Sequence, residues 1–252
     1  MRFRIIPSTA DGRHQLLTSY LINDTLAIDD GSLAIGLTTR EQLEIGSIVI
    51  THAHLDHVIS LPLYLTNLLE ELRKPVKIYA TLSDYEAISE HLFSPRVWIT
   101  LAMMKNASTE LIDYHPFKTG ESFIAEGVEI TPIPVSHTIL THGLLIEDKR
   151  TALLFTSDTK ATDHIWQVAR DCGKLRAVFI DVSFPSRLTE LARVSCHHST
   201  ATLLEELPKI KSEVEVYAIH LKAAYHEEIE AEISALNNPR IKVAQIGQQY
   251  EF

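Results

Sequence analysis

Short runs of apolar and β-branched residues alternate with longer stretches of helical periodicity along the whole chain. Residues 3–7 open with a strand-like run, and the polar residues 8–15 read as a loop. Residues 19–22 and 26–28 flank Asn23-Asp24-Thr25, which predicts a hairpin turn, and Asp29-Asp30-Gly31 stops the second of these strands. The pattern then predicts a helix over 34–43, a buried strand over 47–50, an apolar helix over 58–72, a strand over 77–80 and a helix over 84–93 with Ser83 as its N-cap. Residues 93–98 mix an aromatic pair with an arginine and fit either core packing or a pocket wall. From residue 111 the chain turns β-rich. Residues 128–135 alternate and end at Ser136-His137-Thr138. Residues 143–146 and 151–155 pair across a charged turn, and the second strand ends at Thr156-Ser157-Asp158-Thr159. Buried strands follow over 177–182 and 215–219, the latter ending at His220, with helices over 163–170, 199–207 and 225–236. No linker, low-complexity segment or sequence repeat interrupts this order. Strands and helices alternate in both halves, which predicts one α/β domain over residues 1–252 built on mixed sheets.

Composition narrows the function. The chain has 252 residues, enough for one large core or two small ones, and its 45% hydrophobic and 22% charged content is that of an ordinary globular protein. The formal net charge of −10 argues against a general nucleic-acid binder, which needs surplus Lys and Arg to neutralise phosphates. A small anionic substrate stays compatible, because a bound dication reverses the local field. Two cysteines, Cys172 and Cys196, do not make a disulfide framework and fit a reducing compartment. The N-terminal stretch has no signal-peptide pattern, and no apolar run is long enough to span a bilayer, so a cytoplasmic location away from the membrane is expected.

The chemistry concentrates in Thr51-His52-Ala53-His54-Leu55-Asp56-His57, directly after the strand over 47–50. Residues two apart in extended chain point the same way, so His52 and His54 converge on one point. Asp56 and His57, where the chain bends toward the helix, reach a second point nearby. Imidazole and carboxylate together suit zinc, manganese or iron, and two such ions roughly 3.5–4 Å apart form a hydrolytic pair. His137, Asp158 and His220 each follow an apolar strand, where α/β proteins gather functional side chains. Asp29, at the end of its strand, is either plain turn chemistry or a carboxylate that orients a ligand histidine.

The series His-x-His-x-Asp-His, followed by a histidine, an aspartate and a histidine after successive strands, resembles the metallo-β-lactamase fold superfamily. Phe179-Ile180-Asp181-Val182-Ser183-Phe184-Pro185-Ser186-Arg187, His197-His198-Ser199-Thr200, His220-Leu221-Lys222 and the tail Gly247-Gln248-Gln249-Tyr250-Glu251-Phe252 are similar to segments of the class II cyclic-nucleotide phosphodiesterases. The resemblance implies a four-layer αβ/βα sandwich with two divalent metal ions, zinc first, with manganese or iron as alternatives. It implies that His52, His54 and His137 hold one metal, that Asp56, His57 and His220 hold the other, and that Asp158 bridges them with Asp29 behind. It also implies that His197 lies near the scissile phosphate. Asp181 replaces a glutamate of that family, Cys196 a glycine and Ser60 a glycine, and residues 94–114 match it poorly.

The resemblance implies hydrolysis of a 3′,5′-cyclic nucleotide, cyclic AMP or cyclic GMP, with Asp56 and Asp158 in the catalytic centre. An imidazole titrates in the range needed to protonate the leaving alkoxide, which gives His197 that role. Lys222 either contacts phosphate or is solvated. The same scaffold also serves RNase Z-like phosphodiesterases and glyoxalase II-like thioesterases, and a non-catalytic metal-stabilised regulatory protein is the remaining alternative. The oligomeric state is open, a homodimer included.

Overall fold

The protein is described by a computed structural model covering residues 1–211 and 213–252. The backbone forms two compact units, residues 1–118 with 246–251, and residues 119–245 with 252.

The first unit begins with β1 (Arg2–Ile5), β2 (Tyr20–Ile22) and β3 (Leu26–Ile28), paired antiparallel in sequence order. Asn23 and Asp24 join the last two with φ of 52° and 66°, the paired positive φ that a tight hairpin turn requires. The chain then crosses over through α1 (Leu33–Gly36) and α2 (Thr39–Glu44) to β4 (Ser47–Val49), and through α3 (Leu55–Val58) and α4 (Leu61–Asn67) to β5 (Val76–Ala80). After α5 (Leu82–His91) it reaches β6 (Ile112–Pro116), and β3 to β6 run parallel. Leu33, Tyr64, Leu65 and Ile88 of the helices share one buried cluster with Ile48 and Ile78 of the sheet. Truncating Ile48 to alanine would cost about 2–5 kcal/mol and loosen the strand that carries the His52 loop.

The second unit repeats that order. β7 (Phe123–Ala125), β8 (Val128–Pro134), β9 (His142–Glu147) and β10 (Ala152–Phe155) form an antiparallel meander. Crossovers through α6 (His164–Asp171), α7 (Thr189–Val194) and α8 (Thr200–Glu206) then lead to the parallel strands β11 (Leu175–Asp181) and β12 (Glu215–Ile219). α9 (His226–Ala235) leads on to the parallel strand β13 (Ile241–Val243). Trp166, Leu203, Ile229 and Ile233 bury against Leu154, Val178 and Val216. The last strand, β14 (Gln249–Glu251), pairs with β1 and completes the first sheet at seven strands. The two mixed sheets with helices packed on them are therefore both present. The repeat of meander and parallel crossovers is carried by topology, with no trace in the residues.

Three helices differ from the periodicity. The expected 34–43 helix is two pieces, because Thr38 starts a new helix by accepting the Glu41 N–H while the Glu41 carboxylate accepts the Thr38 N–H. The expected 58–72 helix starts earlier, at Leu55, and is interrupted before Leu61, where Pro62 in the first turn suits a fresh helix start better than an interior. The third is capped by Thr81 and not Ser83, since the Thr81 side chain accepts the Asp84 N–H at 3.2 Å. In residues 93–98, Phe93 is core and Trp98 packs against the same cluster.

Candidate metal centre

In the first unit the functional side chains collect past the C-terminal ends of β3 and β4. The loop after β4 carries His52 and His54, and Asp56 and His57 lie in the single turn of α3. Asp29 holds this loop. Its Oδ1 accepts the Thr51 N–H at 2.8 Å, its Oδ2 accepts the Thr51 hydroxyl at 2.9 Å, and the same oxygen lies 2.8 Å from His57 Nδ1. Thr51 Oγ1, having donated to Asp29, lies 3.0 Å from His52 Nδ1 and fixes that ring as well. Both Nδ1 atoms are thus engaged, which directs each Nε2 to the opposite side. His52 Nε2 lies 3.0 Å from His54 Nδ1, and the His52 and His57 rings are 4.2 Å apart. Backbone bonds from Thr18 N–H to Asp56 O and from Asp30 N–H to His57 O tie the turn down. Gly31 is required there, because a Cβ would collide with the Asp56 carbonyl. Burial pushes the Asp29 carboxyl up, with the His57 and Thr51 contacts opposing it.

In the second unit His137 follows β8, Asp158 follows β10, Asp181 ends β11, His220 follows β12, and His197 precedes the Ser199 cap of α8. The three histidines are again gripped at Nδ1. His137 Nδ1 lies 3.0 Å from the Cys196 carbonyl, His197 Nδ1 lies 2.6 Å from Asp181 Oδ2, and His220 Nδ1 lies 3.0 Å from Ser183 Oγ. Ser183 in turn donates to Asp181 Oδ1 at 2.7 Å. Burial pushes His137 below its ordinary value despite the nearby Asp158, which favours the neutral form that binds metals. Burial raises the Asp181 carboxyl, but the facing His197 charge and the bonds from His197 and His220 outweigh it and hold it well below the usual carboxylate range.

Asp158 faces both flanking histidines. Its Oδ1 lies 3.6 Å from His220 Nε2 and its Oδ2 lies 3.9 Å from His137 Nε2. These gaps exceed a hydrogen bond and match two ligand atoms around one ion. Two nitrogens each about 2.0–2.1 Å from a tetrahedral zinc sit roughly 3.3 Å apart, which the His52–His54 pair also approaches. One ligand atom each from Asp158, Asp181, His197 and His220 falls within 4.8 Å of the others. Asp181 and His197 are already bonded to each other within this group. The residues present therefore fit divalent metal ions.

The residues of both clusters rest on unusual backbone. Asp29, Ser157, Cys196 and His220 have φ between 54° and 59°, the left-handed region that non-glycine residues enter at a cost. This explains why the resembled family has glycine at position 196. Ser60, the other departure from glycine, donates its hydroxyl to the buried Asp30 carboxylate. The shorter side chain of Asp181 still reaches His197. Thr51 and Ser183 were missed by the sequence reading. Their signal is a hydroxyl residue immediately beside a strand-end histidine or carboxylate.

The comparisons with known proteins agree with this architecture. A family model described as the beta-lactamase superfamily domain matches residues 34–221. No match is found among the curated proteins. Among solved structures, unliganded yeast PDE1 is similar over 98% of both chains at 14% identity, with a TM-score of 0.79. The metallo-β-lactamase fold protein YhfI from Bacillus subtilis is similar over 99% of both chains at 14% identity, with a TM-score of 0.75. A diphosphatase of the PhnP family is similar over 100% of this chain and 97% of its own at 17% identity, with a TM-score of 0.71. At such identities the likeness speaks for the fold, and the family match covers most of the chain. The chain belongs to the beta-lactamase superfamily and is a metal-dependent hydrolase of the metallo-β-lactamase fold.

Proposed function

We propose that the chain acts over residues 1–252 as one phosphodiesterase domain that hydrolyses 3′,5′-cyclic nucleotides, cyclic AMP or cyclic GMP, at a pair of divalent metal ions. In this reading His52, His54 and His137 hold one ion, Asp56, His57 and His220 hold the other, and Asp158 bridges. Zinc suits the imidazole-rich ligand set best, and manganese and iron also accept it. The observation that carries the proposal is the Asp158 carboxylate, which turns one oxygen toward His137 and the other toward His220. A carboxylate that offers a different oxygen to each of two histidines is what a shared ligand of two ions needs.

Bound there, the ions would acidify a water toward neutral pH and neutralise charge growing on the phosphoryl oxygens. The chain's own residues supply the rest. Asp29 and Thr51 hold His52 and His57 at Nδ1, so that Nε2 is the nitrogen each would offer to an ion. The Cys196 carbonyl and Ser183 do the same for His137 and His220. Asp181 grips His197 at Nδ1, so His197 carries its transferable proton on Nε2 and gives it to the leaving alkoxide. A phosphodiester leaving group needs that proton, which is why the paired His197 favours phosphodiesters over a site that only binds metal.

Two free cysteines suit a reducing cytoplasm, and among the described residues no helix is long and apolar enough to cross a membrane. The likeness to yeast PDE1 directs the choice of first substrates. The test is hydrolysis of bis(p-nitrophenyl) phosphate with and without a chelator, followed by cyclic AMP, cyclic GMP, an RNA and a thioester. Chelator-sensitive turnover of the diester and of a cyclic nucleotide is expected. Turnover of the thioester alone would overturn the reading.

A further inference from the structure

In the first unit β4 and β5 lie side by side with Val49 opposite Tyr79, and the Ile50 N–H bonds to the Tyr79 carbonyl. Thr51, which opens the loop of His52 and His54, and Thr81, which caps α5, therefore leave neighbouring strands at the same level. Asp84 stands in the first turn of α5 and is only 4% exposed. Its carboxylate accepts the Thr81 hydroxyl at 2.5 Å. It also accepts the N–H of Ala53, the residue between His52 and His54.

That second bond is not one the helix needs. The acid at the same position of α2, Glu41, turns back to the N–H of its own cap, Thr38. Such a box takes Glu or Gln, and aspartate is one methylene shorter. Asp84 reaches across to another element, and it does so from a buried position. Burial raises its carboxyl to about 6, the nearby Asp29 adds to the rise, and the Thr81 and Ala53 bonds oppose it. An exposed acid would serve the helix start without that desolvation cost. With Asp84 in place, two carboxylates bracket His52. Asp29 accepts the amide before it, that of Thr51, and Asp84 accepts the amide after it. His52 Nε2 and His54 Nδ1 lie 3.0 Å apart, and the main chain through Ala53 sets that separation.

We infer that Asp84 is a positioning residue of the metal centre: by holding the Ala53 amide it fixes the spread of His52 and His54, and with it the affinity and geometry at which that pair takes a divalent ion. The inference rests on the reading of His52 and His54 as ligands, and its test separates the two.

The full chain is loaded with cobalt(II), whose visible absorption reports the geometry of its ligands, and affinity is read by competition with a chelator. Asp84→Ala shifts the cobalt spectrum and binds the ion about tenfold more weakly, in keeping with the worth of groups that hold metal ligands from behind. Asp84→Leu gives the same result with the volume kept, which covers a poorly folded alanine variant. Asp84→Asn keeps an acceptor oxygen for Ala53 and retains the wild-type spectrum and affinity. Thr38→Ala, which strips the cap of α2, lowers stability and leaves both readouts unchanged, so a general loss of stability does not imitate the effect. Wild-type spectrum and affinity in both Asp84→Ala and Asp84→Leu, or an equal loss in Asp84→Asn, would overturn the inference. His54→Ala, measured beside them, reports on the ligand reading. Unchanged affinity there would end that reading and the inference with it, whereas a loss there with none in Asp84→Ala would end the inference alone.

Discussion

Asp181 Oδ2 lies 2.6 Å from His197 Nδ1, buried at the end of β11. The other oxygen of the same carboxylate receives the Ser183 hydroxyl, which lies 3.0 Å from His220 Nδ1. One carboxylate therefore sets the orientation of the candidate proton donor directly and of a candidate metal ligand through a single hydroxyl.

His197→Ala removes the donor and leaves the ligand set in place. Turnover of a phosphodiester with a poor leaving group falls by about 10²–10⁴, the usual worth of general acid catalysis, while metal content stays at the wild-type level. Activated diesters such as bis(p-nitrophenyl) phosphate lose much less, because nitrophenolate needs no proton. Equal losses on both substrates would remove His197 from proton transfer.

Ser183→Ala cuts the link between Asp181 and His220. Partners that hold a ligand histidine from behind are worth about 10–100-fold in metal affinity, so competition with a chelator releases metal from this variant at about tenfold lower chelator concentration. Ser183→Thr keeps the hydroxyl and retains wild-type affinity. Identical affinity of all three proteins would contradict the role given to the hydroxyl.

Cys196 has φ of 59°, and its carbonyl faces His137. A left-handed non-glycine residue costs about 1–2 kcal/mol, against about 0.5–1 kcal/mol of extra chain entropy for glycine. Cys196→Gly therefore stabilises the fold by about 0.5–1 kcal/mol, a rise in Tm of about 1–4 °C. A fall in Tm would show that the thiol contributes packing that outweighs the strain.

Burial pushes the Asp30 carboxyl up to about 7, and the Ser60 hydroxyl bond only partly offsets this. A carboxyl raised in the folded state binds its proton there between its unfolded value of 3.8 and about 7, while the unfolded chain has already lost it. This contribution to stability is fully present below the unfolded value and is lost as pH rises to about 7, at up to about 1.4 kcal/mol per pH unit. Asp30→Asn removes that contribution, while those of the other shifted groups, such as Asp29, Asp84 and His137, are common to both proteins. Denaturant melts of both proteins between pH 4.5 and 7.5 check it, and parallel curves for the two would contradict the assignment.

Much of this fold was legible because buried strands announce themselves. The strand of residues 215–219 was read to its exact ends, and the Asn23-Asp24 hairpin followed from residues that tolerate positive φ. Helix ends were less legible, because a capping hydroxyl such as Thr38 or Thr81 competes with the hydrophobic period and overrides it locally. The candidate site was legible in its histidines and aspartates, whose types and spacing name their chemistry. Its supports were hidden for a physical reason. A backbone carbonyl at position 196 can come from any residue, and Ser183 matters only because the bend after β11 turns its hydroxyl toward both Asp181 and His220.

Elemental analysis of the purified chain, saturated with zinc, manganese or iron and then freed of unbound ion, tests the central claim directly. Seven residues arranged as proposed bind two divalent ions per chain. A ratio of one or less with every metal offered would contradict the two-metal centre and the catalysis assigned to it.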